Sequence, residues 1–349
     1  MDITVAITTY NEGLYLDGLL SNLSDQKIDG LEVEIILLEA GQYQLDRVER
    51  NLELFGGGLT YLHREGLSRT NALNNIFKIA SGDLIVRLDA RSRINNMYLQ
   101  EIFKLSRTTG AENVGGAMLP IGLTHKQKIV ASLMSTSLAL GGSKSRNCSF
   151  KGFSDSLYLG AYNRKKCEPL IGGEWFDSLH GDISEDSDLN YRIRQKGGKI
   201  FIDSDIVVEY YARESLRSFF LLCYKYGFGR GLFIIKHKSF SAFRQVVPLV
   251  ALLSSAYLFI IGFYDYRMHN VLIGLCLTYW LLISTVSIKV ATSISDYFIL
   301  ILGFTGCHLA WTLGLFKAIF RSCSPLSISL LTSRVPINPL PPTMQIVIL

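Results

Sequence analysis

The last third of the chain contains three stretches without a single charged residue: 246–263 and 271–288, each 18 residues long, and 297–316, which is 20. A helix crossing ~30 Å of hydrocarbon needs about 20 mostly apolar residues. Between 245 and 320 the charged residues are Asp265, Arg267, Lys289, Asp296 and Lys317, and the first four fall in the two short connections. Three such runs with so little chain between them are not the pattern of a soluble core. We read 245–320 as a membrane region of about three helices and 321–349 as a tail.

The rest of the chain is of a different kind. Residues 1–212 carry 23 Lys and Arg against 27 Asp and Glu, a net −4, whereas 213–244 carry seven against one, a net +6. The pI of 8.8 therefore describes a local basic belt. In that belt Phe219, Phe220, Phe228 and Phe233 alternate with Arg217, Lys225, Arg230, Lys236 and Lys238, which suits an amphipathic segment in the plane of lipid headgroups. Membrane lipids, and not nucleic acid, are the expected partner of a basic belt beside apolar spans. With 48% hydrophobic and 19% charged residues, a disordered, collagen-like or coiled-coil chain is excluded. Six cysteines lie far apart without a Cys-x-x-Cys pair, so they are read as reduced thiols.

Met1-Asp2 leads directly into the apolar run Ile3-Thr4-Val5-Ala6-Ile7-Thr8, with no basic start and no long apolar core for a cleavable signal. From there short apolar runs alternate with helical patterns. Residues 3–8, 34–39 and 84–88 read as strands that are apolar throughout; 14–26 and 70–80 carry helical spacing. Strands of that kind between helices predict a parallel α/β sheet covered on both faces. Ligands of such sheets bind at the carboxyl ends of the strands. Three strand ends here carry polar or acidic groups: Thr9-Tyr10-Asn11-Glu12, Glu39 and Asp89. A second cluster, Ser184-Glu185-Asp186-Ser187-Asp188, opens a helix that stops at Gly197-Gly198, with Ser184 as the expected N-cap. Just upstream stand Gly172-Gly173-Glu174-Trp175-Phe176-Asp177.

In order, Thr8-Thr9-Tyr10-Asn11-Glu12, Glu39, Arg69-Thr70-Asn71, Arg87-Leu88-Asp89-Ala90-Arg91, Gly172-Gly173 with Phe176-Asp177, and Glu185-Asp186 resemble a family 2 glycosyltransferase of GT-A fold. Val114-Gly115-Gly116-Ala117-Met118 and Tyr226-Gly227-Phe228-Gly229-Arg230 resemble the ExoA-like succinoglycan glucosyltransferase subgroup. The resemblance covers roughly 3–203. It implies a Rossmann-like nucleotide-sugar-binding domain over 1–212, followed by the interfacial segment 213–244 and the membrane region. It also implies a donor site of Thr8, Tyr10, Glu12, Glu39, Arg69, Asn71, Asp89 and Arg91. Asp186 matches the family's acceptor-activating base; Glu185 and Asp177 would orient the acceptor, and Trp175 would form a stacking wall for a sugar ring. Asp89 matches the first Asp of the metal-binding Asp-x-Asp, for Mg²⁺ or Mn²⁺; the second position is Arg91, whose guanidinium offers a fixed positive charge to the leaving diphosphate. The implied activity is inverting transfer from a nucleotide sugar, with UDP-hexose as the donor, to a lipid-linked saccharide in surface polysaccharide biosynthesis. The alternatives are transfer to a polyprenyl phosphate, or a noncatalytic role in an assembly complex. The expected location is the cytoplasmic membrane, multi-pass, with the catalytic domain facing the cytosol.

Overall fold

The computed structural model describes residues 1–46, 48, 58–180, 182–239, 246–322 and 345–348. Much of the 321–349 tail, with Arg334, and the end of the 213–244 belt thus lie outside the described residues. The chain forms two compact units.

The first unit consists of Met1–Leu119 and Ser143–Tyr211 with a terminal strand. In chain order it contains β1 (Ile3–Thr9), α1 (Gly13–Ser24), β2 (Val33–Glu39), β3 (Leu59–His63), α2 (Arg69–Ile79), β4 (Leu84–Asp89), β5 (Ser92–Arg93), α3 (Tyr98–Thr109) and β6 (Asn113–Ile121), whose end passes into the second unit. After α4 (His125–Ser135) and α5 (Ser137–Leu140) of that unit, it resumes with β7 (Lys151–Phe153), β8 (Ala161–Asn163), α6 (Arg164–Ile171), α7 (Glu185–Gln195) and β9 (Ile200–Tyr211). The sheet order is β10-β3-β2-β1-β4-β8-β6-β9-β5, where β10 is Gln345–Ile348 and β7 pairs with β9.

Strands β3, β2, β1 and β4 are parallel, and β8 runs antiparallel to β4. The apolar runs have a direct explanation. Val5, Ile7, Ile35 and Leu37 enter one core with Leu16, Leu19 and Leu23 of α1 and Leu99 and Ile102 of α3. Ala6, Ile36 and Leu38 enter the other, with Leu73, Ile76 and Phe77 of α2 and Leu189 and Ile193 of α7. Successive strand side chains point to opposite faces, so a sheet covered on both sides demands apolar residues at every position.

The second unit comprises Pro120–Gly142 and the described residues from Ala212 onward. Its helices are α4, α5, α8 (Leu216–His237), α9 (Val247–Ile261), α10 (Arg267–Val290) and α11 (Ile294–Ser322). The expected belt helix is present as α8, opened by a Ser215–Ser218 capping box. Three helices of crossing length were expected, but among the described residues only α10 and α11 are long and apolar enough; the 246–263 stretch yields the 15-residue α9. Pro248 is confined to its first turn, and the chain reverses at Gly262 beside His269.

Candidate active site

The carboxyl ends of β1, β2 and β4 share one rim of the sheet, because the register sets Thr9 beside Glu39 and Thr8 beside Asp89. Asp89 ends β4 as a buried residue. Its Oδ2 accepts from the Tyr158 hydroxyl at 2.5 Å and lies 3.7 Å from Arg69 Nη1; its Oδ1 is 3.5 Å from Arg87 Nη2. Burial works against its charge, yet Arg69, Arg87 and the Tyr158 hydroxyl hold its carboxyl below the usual carboxylate range.

Arg87 sits in the middle of β4 with no exposed surface, and its Nη2 donates at 2.7 Å to Glu185 Oε1 in the first turn of α7. One guanidinium therefore ties the Asp89 strand end to the Glu185-Asp186 turn, 98 residues on. Asp186, beside Glu185, is half-buried, and its Oδ1 accepts from the Ser187 backbone N–H at 2.7 Å. Ser184 does not cap this helix as expected. Its φ of 62° places it in the left-handed region, and its side chain makes no capping hydrogen bond.

The segment before α7 is held from two sides. Asn74 of α2 donates to the Phe176 carbonyl at 2.7 Å and accepts from the Phe176 N–H at 2.9 Å. Arg192 of α7 donates to the carbonyls of Ile171 (2.9 Å), Glu174 (3.1 Å) and Trp175, while its Nε donates to buried Asp188 at 2.9 Å. Gly172 and Gly173, with φ of 65° and 138°, supply the turn. Asp177 accepts from the Leu179 N–H at 2.9 Å. Trp175, expected as a stacking wall for acceptor sugar, is buried in the second core, its ring edge-on to Phe77 at 5.0 Å and to Tyr162 at 6.0 Å. Its indole fills space between α2 and the sheet instead of lining an open face. Glu185, expected at the acceptor, is likewise buried and engaged by Arg87.

On the donor side, Glu39 is fully buried. Its Oε1 accepts from the N–H groups of Gly41 (2.5 Å) and Asn11 (3.2 Å), which binds the loop after β1 to that after β2. Burial raises its pKa, against those two hydrogen bonds. Asn11 has a φ of 55°, and its Oδ1 accepts from the Gln42 N–H at 2.7 Å. Thr8 is half-buried; Tyr10 (62% exposed) and Asn71 are open to solvent. Arg69, a third exposed, opens α2 behind the Ser68 N-cap. Arg91 is buried: its Nε donates to Glu12 at 2.8 Å and its guanidinium lies 4.2 Å from the Tyr15 ring centroid. The structure thus gathers Arg69, Asp89, Glu185 and Asp186 about Arg87, pairs Glu12 with Arg91, and ties Glu39 into the neighbouring loops.

Of the Asp-x-Asp pair that would hold a divalent metal, only the first carboxylate, Asp89, is present. Both oxygens of Asp89 face guanidinium or hydroxyl donors, and position 91 is a cation. Among the described residues no group of three His, Cys, Asp or Glu side chains is placed to hold a metal ion. Sequence reasoning gave no role to Arg87, Tyr158, Asp188 or Arg192. Arg87 carried a signal as a lone cation inside Leu84-Ile85-Val86-Arg87-Leu88, and Asp188 only as a member of the acidic cluster at 184–188.

Residues 4–168 match the family model described as Glycosyl transferase family 2. Over 248 residues the chain is 25% identical to the succinoglycan biosynthesis protein ExoA of Rhizobium meliloti (strain 1021), an alignment covering 70% of this chain and 74% of that protein. Over 249 residues it is 24% identical to the dolichyl N-acetyl-alpha-D-glucosaminyl phosphate 3-beta-D-2,3-diacetamido-2,3-dideoxy-beta-D-glucuronosyltransferase of Methanococcus voltae, covering 67% and 74%. Among solved structures, the mannosyltransferase PcManGT from Pyrobaculum calidifontis, in complex with GDP-Man and Mn²⁺, matches with a TM-score of 0.54 at 16% identity, over 90% of this chain and 86% of that one. That likeness is one of fold.

Proposed function

The chain carries a family 2 glycosyltransferase domain, and from that premise we propose that it is a membrane-associated, inverting enzyme. In this reading it transfers a hexose from a UDP-sugar to a lipid-linked saccharide during surface polysaccharide assembly. The observation that carries it is the Arg87 bridge, which joins the Asp89 strand end to the Glu185-Asp186 turn at the rim where an open sheet binds its ligand. Asp186 is the base: its carboxylate takes the proton of the acceptor hydroxyl as that oxygen attacks the anomeric carbon. The sugar–diphosphate bond breaks on the opposite face, and the nucleoside diphosphate departs. Proton transfer of this kind contributes ~10²–10⁴-fold.

Arg69, a third exposed beside Asp89, supplies positive charge to the donor diphosphate, and Arg91 adds to it on release from Glu12. Thr8, Tyr10 and Asn71 border the nucleotide, Glu39 fixes the loops that receive the base, and Asp177 stands on the acceptor side. Acceptors in which a lipid phosphate carries the sugar are favoured by the name of the Methanococcus voltae relative, whose acceptor is a dolichyl phosphate sugar. Transfer directly to a polyprenyl phosphate is the nearest variant. The catalytic domain faces the cytosol, where nucleotide sugars are made.

The test is Asp186→Asn. The amide keeps the volume and most hydrogen bonds but cannot accept the proton, so transfer of labelled sugar into a lipid extract is lost while nucleotide binding by calorimetry is retained. Near-normal turnover in this variant removes Asp186 from the role. Absence of transfer by the unaltered protein with every nucleotide sugar and lipid extract tried favours the noncatalytic partner.

A further inference from the structure

Tyr158 belongs to no strand or helix, lying between β7 and β8, yet its backbone is fixed from both sides. The Leu157 carbonyl accepts from Asn190 Nδ2 of α7 at 2.9 Å, and the Gly160 carbonyl accepts from the Arg87 N–H of β4 at 3.1 Å. Between these anchors Leu159 takes a φ of 54°, in the left-handed region that residues other than glycine rarely enter. Such a backbone persists only where its surroundings impose it. Leu159 is buried in the first core, and the Tyr158 ring lies edge-on to Tyr210 of β9, with centroids 5.7 Å apart. The outcome is a half-buried phenol whose hydroxyl donates to Asp89 Oδ2 at 2.5 Å. The two elements that anchor it, β4 and α7, are the ones that Arg87 joins.

Oδ2 is also the Asp89 oxygen that faces Arg69. Arg69 Nη1 stands 3.7 Å from it, outside the ~2.7–3.2 Å of an N–H···O hydrogen bond. Among the described residues the Arg69 guanidinium donates no hydrogen bond, and a third of the side chain is exposed. Arg91 is held differently, with its Nε on Glu12 and its guanidinium against the Tyr15 ring. Arg69 thus keeps its N–H donors open at the rim, beside a carboxylate close enough to attract it. The short contact on that carboxylate is made by Tyr158, while Oδ1 faces Arg87 at 3.5 Å.

We propose that Tyr158 is a positioning residue for donor binding: its hydroxyl occupies Asp89 Oδ2, keeps the Arg69 guanidinium from closing onto that carboxylate, and so leaves Arg69 available to the donor diphosphate. This role rests on the nucleotide-sugar reading given above. Without the hydroxyl, Oδ2 is a buried carboxylate oxygen whose one other partner among the described residues is Arg69. A buried charge left without a hydrogen bond is costly, and a shift of about 1 Å brings Arg69 to the ~2.8 Å of a charge-assisted contact. A guanidinium drawn onto Asp89 offers the diphosphate fewer donors and a cancelled charge. The effect is confined to the phosphates. The loops proposed to receive the base are held separately, by Glu39 on the Gly41 and Asn11 N–H groups.

Tyr158→Phe in the full chain removes the hydroxyl and keeps the ring against Tyr210. Calorimetry with UDP and uridine, and with GDP and guanosine in parallel, separates the phosphates from the nucleoside. The expected result is nucleoside affinity within about twofold of the unaltered protein and diphosphate affinity lower by about tenfold, the size of one charge-assisted hydrogen bond. In an Asp89→Asn background the charge that attracts Arg69 is gone, so Tyr158→Phe should add less than about twofold. Unchanged diphosphate binding in Tyr158→Phe overturns the role. So does an equal loss for nucleoside and diphosphate, which marks Tyr158 as structural only. An additive loss in the Asp89→Asn background also overturns it, because Tyr158 then acts by a route other than Asp89. Binding of neither diphosphate by the unaltered protein removes the nucleotide-sugar reading and the role together, an outcome distinct from the other three.

Discussion

Arg87→Met tests the bridge on which the active-site reading rests. The side chain it removes has no exposed surface and donates to two buried carboxylates, Glu185 at 2.7 Å and Asp89 at 3.5 Å. Removing one partner of a buried ion pair typically costs about 3–5 kcal/mol, because the remaining charge stays desolvated. The lower figure applies here: Asp89 keeps Arg69 at 3.7 Å and the Tyr158 hydroxyl at 2.5 Å, so Glu185 bears the main loss. About 3 kcal/mol is a factor of ~10² in the folded-to-unfolded ratio. At ~2–4 °C per kcal/mol for a unit of this size, it lowers the melting temperature by about 6–12 °C. The measurement is thermal unfolding of the purified full chain in detergent, with Glu185→Gln and the double variant completing a cycle. Glu185→Gln removes the stranded charge, so the double variant should melt above Arg87→Met, with a coupling of at least ~1 kcal/mol. A shift in Arg87→Met of less than ~2 °C, at most about 1 kcal/mol by the same conversion, refutes the bridge. So does a double variant that melts no higher than the single.

Three further outcomes follow from the same geometry. Asp89→Ala weakens donor binding measured by calorimetry, and transfer by the unaltered enzyme persists in excess EDTA, because in the proposed reading Arg69 and Arg91 supply positive charge to the donor diphosphate; complete loss restored by Mn²⁺ contradicts the second half. Asp89 has a depressed pKa in the folded protein, so the stability it contributes is full above the unfolded value of ~3.9 and is lost as pH falls through the lower folded value. The melting temperature should therefore drop on acidification below about pH 4, less steeply in Asp89→Asn, and equal slopes reject the assignment. Arg192→Gln severs the guanidinium's hydrogen bonds to the Ile171, Glu174 and Trp175 carbonyls, so amide exchange across 171–177 should quicken while β1 and β2 keep their protection. Unchanged exchange there shows that Asn74 alone holds the segment.

What was legible in the sequence was whatever a single element decides. Ile35-Ile36-Leu37-Leu38 reads as a doubly covered strand because each residue meets one core or the other, and that demand is met inside seven residues. Asp89 and Glu39 were findable because they end such strands. Trp175 was not, since an indole near two glycines reads equally as a sugar platform or as core, and Phe77, a hundred positions earlier, decides it. Ser184 misled for a local reason: the residue type suits a cap, but its left-handed backbone does not. Of the three uncharged stretches, 246–263 was already set apart by Pro248 near its start and gives the shortest helix, whereas the packing of 297–316 on α8 could not be read, because Gly227, Gly231 and Gly314 acquire meaning only when α8 and α11 lie parallel. Arg87 lies between these cases. A guanidinium at the centre of an apolar parallel strand cannot be left without carboxylates, so its presence already required buried acids from elsewhere in the chain. Two of the acids marked for chemistry, Asp89 and Glu185, are the ones that answer it. In this rim, the charge that steadies the fold and the charge that organises the proposed reaction are held by the same side chain.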